Sequence, residues 1–125
     1  MLNIQALNNI SPLGLEKFQK EFYNVSKSNE NPDAILVRSA KMHDMKIGDN
    51  LKAIGRAGAG TNNIPLDKMS EKGVVVFNTP GANANAVKEL VISSMLLASR
   101  NICQAWEYVN NLPLDNLKAT VEDGK

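Results

Sequence analysis

"LKAIGRAGAGTNNIPLDKMSEKGVVVF", residues 51–77, holds the pattern that decides the fold. Leu51-Lys-Ala-Ile54 reads as a short strand running straight into a loop with glycines at 55, 58 and 60. Pro65 to Lys72 then has helical spacing through Leu66 and Met69. Gly73 follows, where a helix ends on a residue of positive φ. Val74-Val-Val-Phe77 is a β-branched, wholly apolar strand. A strand, a loop, a helix and a strand in that order make a βαβ unit, which a right-handed crossover closes into parallel strands.

Upstream, the alternation Leu2, Ile4, Ala6 reads as a strand over Met1 to Leu7. Ser11 as N-cap and Pro12 at the first helical position open a helix through Leu15, Phe18 and Phe22. Lys27 to Pro32 is a loop, and Asp33-Ala-Ile-Leu-Val-Arg38 is a continuous apolar run, expected as a strand covered on both faces. Downstream, Asn78-Thr-Pro-Gly-Ala-Asn83 delivers the chain to a long helix from Asn83 or Asn85 to Asn110. Between Ala86 and Ser99 it is apolar on nearly every side, through Val87, Leu90, Val91, Ile92, Met95, Leu96 and Leu97, and such a helix is expected to be buried all round. The expectation is an open parallel sheet with helices on both faces, ending in that long apolar helix. Beyond Pro113 the composition is linker-like.

With 125 residues the chain is long enough for one modest core and too short for two full domains. Hydrophobic residues make up 43% and charged residues 22%, ordinary for a globular protein. A net charge of +1 with scattered Lys and Arg leaves no footprint for nucleic acid or an anionic membrane. The run Ala86–Ala98 includes Lys88 and Glu89 and falls short of a membrane span. The N-terminus lacks the plan of a signal peptide, so a cytoplasmic chain is expected. The single Cys103 is expected to be a buried structural thiol.

Three readings compete for the glycine loop. A dinucleotide fingerprint needs Gly-x-Gly-x-x-Gly leading at once into a helix, with an acidic residue about 20 positions on; here Thr61-Asn62-Asn63 replaces the third glycine and Phe77-Asn78 brings no carboxylate. A tight strand-to-helix turn would use glycine for its backbone freedom. The third reading starts from location, since ligands of open parallel sheets sit beyond the carboxyl ends of the strands. Loops beginning at Arg38-Ser39, Gly58 and Asn78-Thr79 all open there, and amides free of side chains can gather round a small anion such as a carboxylate.

The stretches "LVRSAKMHD" (36–44) and "LKAIGRAGAGTNNIPLDKMSEKGVVVFNTPGANANAVKELVISSMLLASRNI" (51–102) closely resemble the N-terminal part of the D-2-hydroxyacid dehydrogenases, and within them the D-3-phosphoglycerate dehydrogenases. The likeness is dense from Asp33 to Ile102. It implies a flavodoxin-like substrate domain interrupted by an NAD-binding domain, with the active site between the two. Residues 1–110 would then be the first segment of the substrate-binding domain with its interdomain helix, and 111–125 a linker toward an absent NAD-binding domain. The catalytic histidine and arginine of the family would lie elsewhere, so no catalytic residue is assigned here. By the same resemblance Gly58, Ala59 and Gly60 hold the substrate carboxylate through their amides, Ala59 also approaches the nicotinamide, and Arg38 and Ser39 fix the substrate's phosphate end. Asn83 matches a polar residue near the cleft, with a helix cap as its other reading. Arg56 and Glu89 read as structural, and His43 as a surface residue.

The sequence departs from many members in carrying Ala59 for Val or Thr and Asn62 for Asp. The implied function is the substrate-binding segment of an NAD-dependent dehydrogenase oxidising 3-phosphoglycerate to 3-phosphohydroxypyruvate in serine biosynthesis, as a homodimer through the long helix and inactive as a fragment. The alternative is a non-catalytic flavodoxin-like anion-binding or dimerisation module.

Overall fold

Strands β1 (Leu2–Ala6), β2 (Tyr23–Ser26), β3 (Ala34–Val37), β4 (Ala53–Arg56) and β5 (Val75–Phe77) form one parallel sheet in the order β2-β1-β3-β4-β5. The order reverses between β1 and β3, which is the flavodoxin-like arrangement with its crevice at the carboxyl ends of those strands. The computed structural model describes residues 1–113 and 115–124; the chain divides into two compact units, Met1–Ala82 and Asn83–Lys125.

The register explains the core of the first unit. Ile35 lies opposite Ile54, and Ile54 opposite Val76, so their side chains share one face of the sheet. There Ile35, Val37 and Ile54 pack with Met42, Leu51, Ile64, Val74 and Met69, the last on helix α2 (Leu66–Glu71). Four of these, Met42, Ile54, Met69 and Val37, are fully buried. On the opposite face Ala6, Leu36, Gly55 and Phe77 align across four strands. That face is less covered, for Leu36 is half-buried and Phe77 is 62% exposed.

Several expectations are corrected by the coordinates. The first helix shrinks to one turn, α1 (Pro12–Leu15), with no side-chain cap from Ser11. Gly14 lies inside that turn and weakens the helix at its start. The chain then turns at Phe22 into β2, an edge strand that the helical reading of Phe18 and Phe22 had hidden. The strand expected at 51–54 lies two residues later, at Ala53–Arg56.

In the second unit the expected helix from 83 or 85 to 110 is two helices, α3 (Ala84–Ser99) and α4 (Ile102–Asn110). They are separated at Asn101, whose φ of 50° is left-handed. Asparagine tolerates that region better than other non-glycine residues, so the chain breaks there. No residue of α3 is buried, contrary to the burial expected from its apolar surface. Cys103 on α4 is likewise exposed. A further helix, α5 (Leu117–Asp123), follows, and the Tyr108 hydroxyl of α4 donates to the Thr120 carbonyl at 3.1 Å.

Candidate functional site

The polar groups of the first unit gather at the carboxyl edge of the sheet, where neighbouring strands release their loops side by side. Val37 pairs with Arg56 at the last position of β3 and β4, and the Ala57 amide donates to the Val37 carbonyl at 2.8 Å. Arg38-Ser39 and the glycine loop therefore start from adjacent points.

In the glycine loop the carbonyls of Arg56, Gly58 and Ala59 are committed, and the amides of Ala59 and Gly60 are not. Thr79 donates its amide to Gly58 O at 3.0 Å and its hydroxyl to Arg56 O at 3.2 Å. Asn78 Nδ2 donates to Ala59 O at 2.7 Å. Gly58 spends its own amide on Arg56 O at 3.0 Å. Among the described residues no acceptor faces the amides of Ala59 and Gly60. With those carbonyls taken, the unpaired amides of Ala59 and Gly60 are the loop's remaining backbone donors, the groups that can gather round a small anion.

Glycine serves space here more than backbone freedom. Among the described residues the glycines of positive φ are Gly73 and Gly81, and neither is in this loop. A methyl on Gly58 would lie 2.7 Å from Arg56 Nη1. The guanidinium is thus folded under the loop; its Nε is buried with no hydrogen-bond partner, and no carboxylate pairs with it among the described residues. A half-buried cation beside two free amides favours an anion.

Arg38 and Ser39 are exposed and line, with Asn8 and Asn9, a polar depression of about 310 Å³. A separate apolar hollow of about 190 Å³ is bounded by Arg56, Ala57, Phe77, Asn78 and Thr79 among others. None of Gly58, Ala59 and Gly60 lines either hollow. Asn63 joins the two loops: its Nδ2 donates to Arg38 O at 3.4 Å and to Ala40 O at 2.8 Å, while its buried Oδ1 finds no partner. Asn83 belongs to the second unit, where it stands at the N-cap position of α3 without a side-chain cap bond. It caps the helix by position, its carbonyl accepting the Val87 amide at 3.1 Å, and not through its side chain.

The sequence reading passed over Asn8 and Asn63. Each sits in an Asn-Asn pair, Asn8-Asn9 just beyond β1 and Asn62-Asn63 in the turn before α2, and that pairing is the signal that could have found them, because a carboxamide in a loop satisfies backbone groups that the sheet leaves open. His43 Nε2 lies 3.0 Å from the Asn62 carbonyl. A carbonyl only accepts, so that nitrogen carries the proton and is not free to take one from a substrate.

The glycines do not suit a dinucleotide's pyrophosphate. Gly60 leads into a turn closed by Ile64 N to Thr61 O at 2.9 Å, and α2 begins only at Leu66. No helix N-terminus stands at the glycines to receive the phosphates. Among the described residues no cluster of His, Cys, Asp or Glu could hold a metal ion, and no helix is long and apolar enough to cross a membrane.

An open parallel sheet in flavodoxin order, with loops of neighbouring strands opening side by side at its carboxyl edge, is the architecture of an α/β ligand-binding domain. Its family follows from comparison with known proteins: residues 5–122 match the model of the D-isomer specific 2-hydroxyacid dehydrogenase catalytic domain, and the chain belongs to that family. A hydroxypyruvate reductase of Thermotoga maritima is 47% identical over 76 residues, 58% of this chain and 25% of that protein. D-3-phosphoglycerate dehydrogenases of Methanocaldococcus jannaschii and Archaeoglobus fulgidus are 40% and 43% identical over 79 and 76 residues, 61% and 58% of this chain. The chain spans 25%, 15% and 14% of the lengths of these relatives. An NAD+-bound 3-phosphoglycerate dehydrogenase of Entamoeba histolytica superposes with a TM-score of 0.66 at 29% identity, over 77% of this chain and 38% of that one.

Proposed function

We propose that this chain is the substrate-binding segment of an NAD-dependent D-2-hydroxyacid dehydrogenase whose substrate is 3-phosphoglycerate, oxidised to 3-phosphohydroxypyruvate on the way to serine in the cytoplasm. The observation that carries the reading is the pairing, at adjacent strand ends, of free amides at Ala59 and Gly60 with an exposed Arg38-Ser39. In this reading the amides, backed by the Arg56 charge, hold the substrate carboxylate, while the planar guanidinium of Arg38 and the Ser39 hydroxyl take the phosphate. Gly58 shapes the loop through its carbonyl. Ala59 faces the nicotinamide and Asn83 borders the cleft, both by resemblance.

The segment positions substrate and transfers no proton. NAD belongs to the whole enzyme and is held by protein other than residues 1–110, toward which 111–125 lead; the apolar surface of α3 serves a homodimer. A specific observation favours a second reading, an unphosphorylated 2-hydroxy acid: the hydroxypyruvate reductase match is 47% identical.

Arg38→Ala in the complete enzyme separates the two. Loss of a charge-assisted hydrogen bond should raise KM for 3-phosphoglycerate by about 1.5 to 3 kcal/mol, roughly ten- to a hundredfold, with little change for D-glycerate. Equal effects on both substrates would remove the case for phosphate.

A further inference from the structure

The side chain of Asn8 touches the loop that carries Arg38 and Ser39, although it lies 31 residues earlier in the chain. After β1 the Leu7 amide still bonds Leu36 O at 2.7 Å, and the chain then turns at Asn8 with a φ of 66°. That left-handed turn brings the carboxamide back over the end of β3. Its Oδ1 accepts from Ser39 N at 3.1 Å and from Ala40 N at 2.6 Å. Two successive amides converging on one oxygen are the geometry with which backbone binds an anion, and here the chain's own oxygen occupies it.

From the other side Asn63 Nδ2 takes the carbonyls of Arg38 and Ala40. The tripeptide 38–40 is therefore held through two amides and two carbonyls by two asparagines. What it leaves for a ligand is the Arg38 guanidinium and the Ser39 hydroxyl, facing the depression that Asn8 itself lines. A loop fixed before binding loses less freedom when the ligand arrives, and the affinity of the two side chains depends on that.

We propose that Asn8 is a positioning residue which, by filling the Ser39–Ala40 amide pair, presents Arg38 and Ser39 to the phosphate end of the ligand. The proposal rests on the phosphate-binding reading of Arg38 and Ser39. The test is Asn8→Gly, which removes the acceptor while glycine keeps the positive φ without strain. Wild type and variant are titrated with 3-phosphoglycerate and with D-glycerate by amide NMR, and hydrogen exchange is measured at Ser39 and Ala40.

The expected result is faster exchange at those two amides and about tenfold weaker 3-phosphoglycerate binding, with D-glycerate unchanged within about twofold. A merely structural role would weaken both ligands alike, and that outcome overturns the proposal, as do unchanged exchange or unchanged affinity in the variant. Tighter 3-phosphoglycerate binding by the variant also overturns it, since the vacated amides would then be the site. A wild-type chain whose Arg38 and Ser39 signals ignore 3-phosphoglycerate removes the phosphate reading itself, and the proposal with it.

Discussion

A methyl group on Gly58 and one on Gly60 meet different surroundings, and the two together test whether the loop exists for a ligand. At Gly58 the added carbon would lie 2.7 Å from Arg56 Nη1, so the guanidinium must move from a place where its Nε is already buried. Nη1 is the free end of a flexible side chain that can swing aside, so Gly58→Ala should leave stability within about 0.5 kcal/mol by urea denaturation. At Gly60 the nearest atoms are Asn62 Oδ1 at 3.4 Å and Arg56 Nη1 at 3.6 Å, ordinary contacts. Gly60→Ala should leave stability within about 0.5 kcal/mol. If a carboxylate closes on the Ala59 and Gly60 amides, the same methyl should still weaken D-glycerate binding severalfold; unchanged binding would mean the ligand lies elsewhere. Sequence showed where these glycines stand without showing why. Their spacing pointed to a special loop, but backbone freedom and open space ask for the same residue, and only coordinates separate them.

Elements in this fold are held at their ends as much as along their length. Asp33, just before β3, accepts the Asn3 amide at 2.9 Å from β1 and pairs with Lys52 before β4 at 3.2 Å. Those bonds stabilise the carboxylate, so its pKa is lowered from 3.8, by the Asn3 amide first and then by Lys52. The folded state thus binds this proton less readily than the unfolded chain. Its contribution is complete above the unfolded pKa and is lost as pH falls below 3.8 through the lowered folded value. Urea midpoints followed downward from pH 5 should show this acid loss, and Asp33→Asn should flatten it; an unchanged acid slope in the variant would place the sensitive carboxylate elsewhere.

Gly73 ends α2 with a φ of 69° and open space around its Cα. Gly73→Ala should cost about 1 to 2 kcal/mol through backbone strain alone, with Asn less costly than Ala in thermal unfolding. That helix end was legible because a glycine closes an amphipathic stretch and a β-branched strand follows at once. Strand β2 was not, since Tyr23-Asn-Val-Ser sits beside Phe18 and Phe22, whose spacing imitates a helix; Phe18 instead packs its ring edge-on to Tyr23 at 5.4 Å. The break at Asn101 was hidden for a related reason, because one asparagine in αL interrupts a helix without disturbing the apolar pattern on either side.

Across the whole molecule, parallel topology and family were legible while chemistry was divided between what the residues offer and what they omit. The proposed reading gives Arg38, Arg56 and the Ala59 and Gly60 amides the work of binding and orienting an anion, and gives none of them the hydroxyl proton of a 2-hydroxy acid. His43 is the only histidine; it is an exposed residue whose Nε2 lies 3.0 Å from the Asn62 carbonyl, and the proposal gives it no part in the chemistry. The glycines face a turn where a pyrophosphate would need a helix N-terminus. Binding and turnover should therefore separate in the 125-residue chain. Purified alone and supplied with NAD and 3-phosphoglycerate, it should give no nicotinamide reduction above buffer while its Arg38 and Ser39 NMR signals respond to the ligand.

Adding acid or base should not rescue the rate, because the proposal places both the positioned base, worth about 10² to 10⁴ in rate, and the cofactor's site outside these residues. On α3, Leu90 and Met95 are 68% and 66% exposed, so the sample should also self-associate, and Leu90→Lys with Met95→Lys should lower its sedimentation coefficient. Those two substitutions lie away from the anion loops in sequence and should leave the ligand response intact. Sustained turnover by the chain alone would require a proton acceptor among residues assigned here only to binding and packing, and would overturn the separation of binding from catalysis.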